Sequence, residues 1–140
     1  MANYDKSTLT PKLRFPECRK LKGWPEKNLS EAIELVSGQH LSPNQYSSEG
    51  TSPYFTGPSD FTNNAESVSK WTSESTAIAV EDDTLITVKG SGVGEIWYLS
   101  LPEVAIGRQL MAVRTIDGSS RFIHQFLFTK RTRFEDRAIA

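Results

Sequence analysis

Few residues in the sequence have the types and spacing that catalysis would need. The two histidines, His40 and His124, lack a partner at the spacing of a helical metal site such as H-E-x-x-H. No G-x-S-x-G motif marks a nucleophilic serine, and the acidic run Glu81-Asp82-Asp83 lacks the nearby E-x-K pattern of metal-dependent nucleases. The sequence therefore predicts no catalytic residue, no metal site and no cofactor.

The glycine-rich segment Gly90-Ser91-Gly92-Val93-Gly94 has some features of a phosphate-binding loop. A dinucleotide-binding fingerprint needs G-x-G-x-x-G at the start of a helix, whereas Glu95 and the apolar run Ile96-Trp97-Tyr98 follow the glycines here. A Walker A motif ends in Gly-Lys-Ser or Gly-Lys-Thr, but Lys89 comes before the glycines. We therefore expect a glycine turn that joins two strands of a hairpin.

Polar residues and charge bear on nucleic-acid binding in opposite directions. Gln39 and His40 follow Gly38 in a predicted loop, and both side chains can hydrogen-bond the edge of a base. The net charge of −1, however, differs from the basic balance that is usual for nucleic-acid-binding domains. The charges are distributed unevenly, because both ends of the chain are basic and residues 29–128 carry five basic against twelve acidic side chains. Solvated basic tails would also explain this distribution.

The bulk composition limits the class of protein. The single cysteine, Cys18, excludes an internal disulfide and a cysteine-rich zinc site, and it suits a reducing cytoplasm. No apolar run approaches the roughly 18 residues of a membrane-spanning helix, and residues 1–10 lack the apolar core of a signal peptide. At 140 residues the chain fits one domain. We therefore expect a cytoplasmic domain without membrane contact.

The pattern of apolar residues predicts an α+β fold. Residues 1–25 contain three prolines and no sustained period, so we expect an extended N-terminal arm before a domain over residues 26–137. The run from Leu29 to Val36 is expected to begin as a helical turn and to end as a strand. Residues 42–75 form a long polar stretch with one strand candidate, Pro53 to Thr56.

The second half of the sequence predicts most of the sheet and one helix. Short β-prone runs separated by turn residues occupy residues 77–80, 84–88, 95–99 and 109–116. A turn over residues 117–120 leads into an N-cap and a helix. The predicted apolar stripe of this helix consists of Phe122, Ile123, Phe126 and Leu127, which leaves Arg121, His124 and Gln125 off the stripe and His124 on the surface. The expected architecture is a single domain with a curved, mostly antiparallel sheet, long polar loops and a C-terminal helix.

Several segments together resemble the target-recognition domains of type I restriction–modification specificity subunits. The resemblance spans roughly residues 8–137, and the segments in chain order are TPKLRFPE (10–17), WPEKNL (24–29), Leu29 to Gly38, Pro53-Tyr54-Phe55, DTLITVKGS (83–91), VAIGRQLMAV (104–113) and the helix from Arg121 to Lys130. One departure is Asp82, which stands where glycine is common in the family. A full subunit carries two such domains joined by long helices, so a chain that stops at Ala140 is expected to be the first of them, either as an engineered fragment or as a truncated gene product.

The resemblance implies a DNA-binding function without catalysis. Such a domain reads one half of a bipartite double-stranded DNA target for separate methyltransferase and restriction subunits, and it uses no small-molecule substrate. The candidate DNA-binding residues that the resemblance implies are Ser37, Gln39, His40, Lys89, Ser91, Arg108, Gln109, Lys130, Arg131 and Arg133. The last three, clustered after a helix, suit phosphate contacts. Lys89 and Ser91 suit a base or a phosphate, and the other five suit base edges.

Two alternatives belong to other classes of function. The first is a protein-binding module that modulates restriction or supports assembly and has no DNA specificity of its own. The polar stretch of residues 42–75 and its aromatic side chains could form such a surface. The second is a small hydrolase, for which the sequence offers no motif.

Overall fold

Two small β-sheets and one helix form the body of the domain. A computed structural model of the chain describes residues 8–133. The elements in chain order are β1 (Thr8–Leu9), β2 (Trp24–Pro25), α1 (Leu29–Ala32), β3 (Ile33–Ser37), β4 (Tyr46–Ser47), β5 (Ser52–Phe55), β6 (Trp71–Thr72), β7 (Ile78–Val80), β8 (Thr84–Thr87), β9 (Ile96–Tyr98), β10 (Glu103–Ile106), β11 (Leu110–Thr115) and α2 (Ser120–Thr129).

The strands pair mostly in the antiparallel sense, as the sequence predicted. One sheet has the order β4-β6-β5-β10-β7 and the other has the order β3-β11-β8-β9, while β1 and β2 pair by themselves. The pair β5–β10 is parallel, and the other described pairs are antiparallel. The α+β class with a C-terminal helix is confirmed, although two sheets take the place of the single curved sheet.

The two sheets pack against each other through one apolar core. Buried side chains from both sheets meet there, and they include Phe55, Ala79, Leu85, Leu99, Val104, Ile106, Leu110 and Ala112. Each fully buried large apolar side chain contributes about 1.5–3 kcal/mol to stability. Strands β10 and β11 belong to different sheets, and a turn at Gly107 separates them, with Leu110 N–H donating to Gly107 O at 2.9 Å. The sequence did not predict β10 as a separate strand.

Helix α2 covers the outer face of the four-stranded sheet. Its N-cap, Ser119, accepts a hydrogen bond from the Phe122 amide, as the turn signal predicted. Of the predicted apolar stripe only Ile123 and Leu127 are buried, against Ile86 and Val113. The prediction was wrong for the other two positions, because Phe122 is 69% exposed and Phe126 is 39% exposed. Residues four apart lie on the same helix face, so the pair Ile123 and Leu127 packs on the sheet and the pair Phe122 and Phe126 does not.

His124 lies on the side of α2 that faces the sheet. The prediction that His124 is a residue on the helix surface was therefore wrong. Its Nδ1 is 3.1 Å from Thr84 Oγ1, and its ring meets the Tyr98 ring edge-on at 5.3 Å. Burial lowers the pKa of His124 below its ordinary 6.5. The helix therefore presents a half-buried imidazole that favours the neutral form.

An ion pair with a buried carboxylate lies at the start of β8 in the four-stranded sheet, and its arginine also reaches the other sheet. Arg114 donates to Asp83 through Nε at 3.1 Å and through Nη2 at 2.9 Å, and also to the carbonyl of Ile78 at 3.2 Å. Asp83 is 2% exposed, and its hydrogen bonds from Arg114 raise the pKa of that guanidinium. The preceding Asp82 has φ +73°, a left-handed conformation that favours glycine. This geometry gives the physical reason for the glycine that the resembling family commonly has there.

The segment before α1 folds back on itself outside the main core. β1 pairs with β2, and the Arg14 guanidinium between them donates to the carbonyls of Leu21 at 2.7 Å and Lys22 at 3.2 Å. An ion pair of Lys27 with Asp117 ties the end of this segment to the turn before α2. Within residues 8–133 no helix is long and apolar enough to cross a membrane.

Candidate nucleic-acid interface

Four loops meet at one edge of the two sheets, and we call them the four-loop edge: residues 37–40, 56–60, 89–94 and 107–109. Parallel β5 and β10 both end there, and Gly107 N–H donates to Phe55 O at 2.8 Å. β11 begins at this edge, and its antiparallel neighbours β3 and β8 end there. The sheet topology therefore brings together residues that lie far apart in the sequence.

The turn between β10 and β11 lies at the centre of this edge. Arg108 and Gln109 are its two middle residues, and both are exposed. Arg108 has no ion pair or hydrogen bond within residues 8–133, so its charge remains available. The side-chain oxygen of Gln109 lies against two neighbouring loops: a Cβ added to Gly57 or Gly90 would be 2.9 or 3.3 Å from it. The Gln109 side chain thus lies between two loops and stays accessible.

The first loop, residues 37–40, is fastened to this turn by its backbone. Gly38 N–H donates to Leu110 O at 3.1 Å, and Gln39 N–H donates to Ile106 O at 2.9 Å. A Cβ on Gly38 would be 1.8 Å from the carbonyl oxygen of Gly107, so only glycine permits this approach. Ser37 and His40 are exposed on either side. Their side chains therefore flank the central turn.

Gln39 differs from the other candidates in this loop because its side-chain oxygen is already engaged. That oxygen accepts hydrogen bonds from the Thr76 amide at 3.0 Å and the Thr76 hydroxyl at 3.1 Å. A two-bond contact with adenine uses both the oxygen and the nitrogen of a glutamine amide. Such a contact by Gln39 would require these bonds to break, whereas its amide nitrogen could still donate.

The glycine segment forms the predicted hairpin between β8 and β9. Gly94 N–H donates to Thr87 O at 3.0 Å, and Gly90 has φ +89°, a conformation that glycine adopts readily. Gly92 lies so close to Pro58 that an added Cβ would be 2.5 Å from the proline Cγ. Lys89 and Ser91 are exposed at the tip of this hairpin. The absence of side chains at the glycines therefore lets the second and third loops pack together.

A polar network that sequence reasoning missed holds the loop of residues 56–60. Asp60 Oδ2 accepts from the Thr56 amide and hydroxyl, each at 2.8 Å, and lies 2.8 Å from Lys70 Nζ. Burial raises the pKa of Asp60, but the hydrogen bonds from Lys70 and Thr56 outweigh it and hold the pKa below the ordinary 3.8. Thr56 and Asp60 frame a Gly-Pro-Ser turn, a signal that the sequence did contain.

The remaining three candidates lie at the end of α2. Ser120 at the helix start is 2.9 Å from the Tyr98 hydroxyl, whereas Leu127 packs beside Ile86 and Val88. The helix thus runs alongside β8, and its last turn lies on the side of the sheet where β8 ends. Lys130 and Arg131 stack over Phe126 and Phe128 at 5.7 and 4.8 Å, and Arg133 is exposed.

The local charge of the four-loop edge differs from that of the acidic body. The four segments contain two exposed cations, Lys89 and Arg108, and one acidic side chain, Asp60. Asp60 is paired with Lys70, so its negative charge is compensated locally. An edge with positive and hydrogen-bonding side chains is therefore compatible with the overall charge of −1.

Comparison with known proteins gives matches to solved structures alone. No family model and no curated protein matches the sequence. The HsdS subunit from Thermoanaerobacter tengcongensis superposes with a TM-score of 0.72 at 25% identity, over 95% of this chain and 33% of that chain. A structure described as the basis of complex assembly and conformational transition of the type I R-M system has a TM-score of 0.62 at 29% identity, over 71% of this chain and 25% of that one.

The S subunit of the type I system of M. genitalium shares the fold, with a TM-score of 0.61 at 21% identity over 78% of this chain and 27% of that chain. The chain thus spans about a third or less of the length of each of these proteins. The likenesses agree with the family that the sequence segments predicted. The chain therefore has the fold of one part of type I restriction–modification specificity (HsdS) subunits.

Proposed function

We propose that this domain reads one half of a bipartite double-stranded DNA target through its four-loop edge. The observation that carries the proposal is the convergence of four loops around an exposed turn. In this turn Arg108 has no partner among residues 8–133, and the side-chain oxygen of Gln109 lies close to Gly57 and Gly90. An exposed turn whose two side chains can each make a bidentate contact suits the major groove, where each base pair has its own pattern of donors and acceptors.

The side chains of the edge suggest a division of roles. Arginine pairs best with O6 and N7 of guanine, and glutamine with N6 and N7 of adenine, so Arg108 and Gln109 are proposed as the central base contacts. Ser37, His40, Lys89 and Ser91 flank them and would contact neighbouring bases or phosphates, and Gln39 would contribute its amide nitrogen.

The end of α2 is proposed to contact the DNA backbone. Lys130, Arg131 and Arg133 would bind phosphates and fix the register of the edge on the duplex. Each such contact adds about 0.9 to the slope of log affinity against log salt.

The domain is proposed to act without chemistry of its own. Methyltransferase and restriction subunits, which are separate chains, would modify and cut the DNA that this domain selects. The chain spans only part of the subunits it resembles, so these partners and the second half-site belong to the proposal. The edge has only two exposed cations and the body of the domain is acidic, so we expect non-specific DNA binding to be weak.

Selection from a random duplex library at low salt tests the proposal. We expect a short enriched half-site, which the substitutions Arg108→Ala and Gln109→Ala each change at one position. Arg19→Ala is the matched control, because Arg19 is exposed on the N-terminal segment away from the edge. Binding of no duplex at any salt concentration, or binding without enrichment, would refute the proposal.

A second candidate, a protein-binding assembly module, is favoured by the N-terminal segment alone. Leu13, Phe15 and Trp24 are 93%, 76% and 65% exposed, and they line an apolar groove of about 520 Å³. Exposed apolar patches of this kind mark protein contacts in soluble proteins. This candidate predicts that the domain binds a purified methyltransferase subunit but no duplex, and that Trp24→Ser weakens this binding.

A further inference from the structure

Lys70 is a cation beside the four-loop edge that the proposed DNA contacts do not include. Its ammonium nitrogen lies 2.8 Å from Asp60 Oδ2 and donates to Thr56 Oγ1 at 2.6 Å. The Lys70 and Asp60 side chains are 28% and 16% exposed, so both lie mostly within the protein. The charge of Lys70 is thus directed at an internal carboxylate.

The same carboxylate closes the loop of residues 56–60 on itself. Besides Lys70, Asp60 Oδ2 binds the Thr56 amide and the Thr56 hydroxyl. Two backbone hydrogen bonds between residues three apart complete the loop. Asp60 N–H donates to Gly57 O at 3.1 Å, and Phe61 N–H donates to Pro58 O at 3.2 Å. If Lys70 were removed, Asp60 would remain as a mostly buried charge without its cation, a costly state for the folded loop.

This loop supports two of the loops that would read DNA. Pro58 packs against Gly92 in the glycine hairpin, and Gly57 lies beneath the side-chain oxygen of Gln109. Both contacts are tight, because a Cβ at either glycine would approach its neighbour within 3.0 Å. Displacement of the loop of residues 56–60 would therefore change the surroundings of the Gln109 side chain and the position of the glycine hairpin together.

We infer that Lys70 is a positioning residue for sequence recognition and does not contact DNA phosphate. Through Asp60 and Thr56 it fixes the loop of residues 56–60, which contacts Gln109 and the glycine hairpin. The inference rests on the proposed function and adds to it a set of residues outside the predicted contacts. It predicts that loss of Lys70 reduces discrimination between sequences while the salt dependence of binding stays the same.

The test compares Lys70→Met with the double variant Asp60→Asn/Lys70→Met on the selected half-site and on a scrambled duplex. Lys70→Met is expected to lose about tenfold in the ratio of the two affinities, the scale of one lost base contact. The salt slope is expected to stay at the wild-type value, whereas a lost phosphate contact would lower it by about 0.9. The double variant should recover most of the discrimination, because the neutral amide oxygen introduced in place of the Asp60 carboxylate can still accept from Thr56. Lys20→Met, on the exposed N-terminal segment, is the matched control.

Hydrogen exchange of the Thr56 amide gives a readout without DNA. We expect about tenfold faster exchange in Lys70→Met and near wild-type exchange in the double variant. Unchanged exchange, a lower salt slope, or a double variant as poor as the single one would each overturn the inference. A wild-type preference that Lys70→Met leaves unchanged overturns this inference alone. A wild-type domain without any half-site preference overturns the proposed function, and the inference with it.

Discussion

Gly38 is the position where the structure makes the sharpest prediction about a single methyl group. In Gly38→Ala the new Cβ would lie 1.8 Å from Gly107 O and 2.7 Å from Leu110 O, both of them backbone atoms. A carbon and a carbonyl oxygen approach to about 3.3 Å, so the loop must move by roughly 1.5 Å. That movement breaks the bonds from Gly38 N–H to Leu110 O and from Gln39 N–H to Ile106 O.

The cost can be worked from these contacts. Each lost backbone bond costs about 0.5–1.5 kcal/mol, and overpacking adds about 1–3 kcal/mol. The reduced freedom of alanine in the unfolded chain offsets about 0.4–1 kcal/mol. We therefore expect Gly38→Ala to lower the free energy of unfolding by about 1–5 kcal/mol.

Urea denaturation followed by circular dichroism measures this loss, with Gly118→Ala as the matched control. Gly118 has φ +97° and no atom within 4 Å of an added Cβ, so its substitution introduces backbone strain without a clash. That substitution should cost about 1–2 kcal/mol. If Gly38→Ala costs less than about 1 kcal/mol, or no more than Gly118→Ala, the expected clash with Gly107 is wrong.

Two further predictions concern groups away from the edge. Arg114→Met leaves the buried Asp83 without its cation and should cost about 3–5 kcal/mol in the same assay; a loss below about 1 kcal/mol would contradict a buried ion pair. The folded-state pKa of His124 is lowered, so the unfolded chain binds the proton more readily and the stability should fall as the pH drops below 6.5. His124→Gln should flatten this dependence between about pH 7 and 5, and an unchanged slope would show that His124 does not cause it.

Local signals in the sequence were sufficient for elements that are decided within a few residues. The run from Leu29 was predicted to change from helix to strand, and α1 indeed passes into β3 at Ile33. The hairpin at Gly90 and the N-cap at Ser119 were predicted from turn chemistry that operates over three or four residues. The unusual position of Asp82 was noticed from the family pattern, and its positive φ explains it.

Long-range pairing could not be predicted from these patterns. β5 and β10 pair in parallel although Phe55 and its partner Ile106 lie far apart in the sequence, and apolar alternation carries no information about such partners. For the same reason one curved sheet was expected instead of two. In α2, periodicity selected four apolar residues, but only packing against Ile86 and Val113 decides that Ile123 and Leu127 face the sheet.

The candidate interface was predicted as residues but not as a surface. Ser37, Lys89 and Arg108 were chosen from separate segments, and the sheet topology places them on one edge. The network of Asp60 and Lys70 was missed because its members are separated in the sequence and neither belongs to a known motif. The engaged oxygen of Gln39 could likewise be seen only after the loop of Thr76 was placed.

DNA reading by the four-loop edge is tested most sharply by position-by-position affinities on the selected half-site. Duplexes that each carry one replaced base pair are titrated with the wild-type domain and with Gln109→Ala at a fixed salt concentration. We predict that the wild type loses about 1–3 kcal/mol at each recognised position, and that Gln109→Ala loses its preference at a single position and keeps it elsewhere. A variant that binds every duplex as the wild type does, or that weakens all of them equally, would rule out base recognition by Gln109 at this edge.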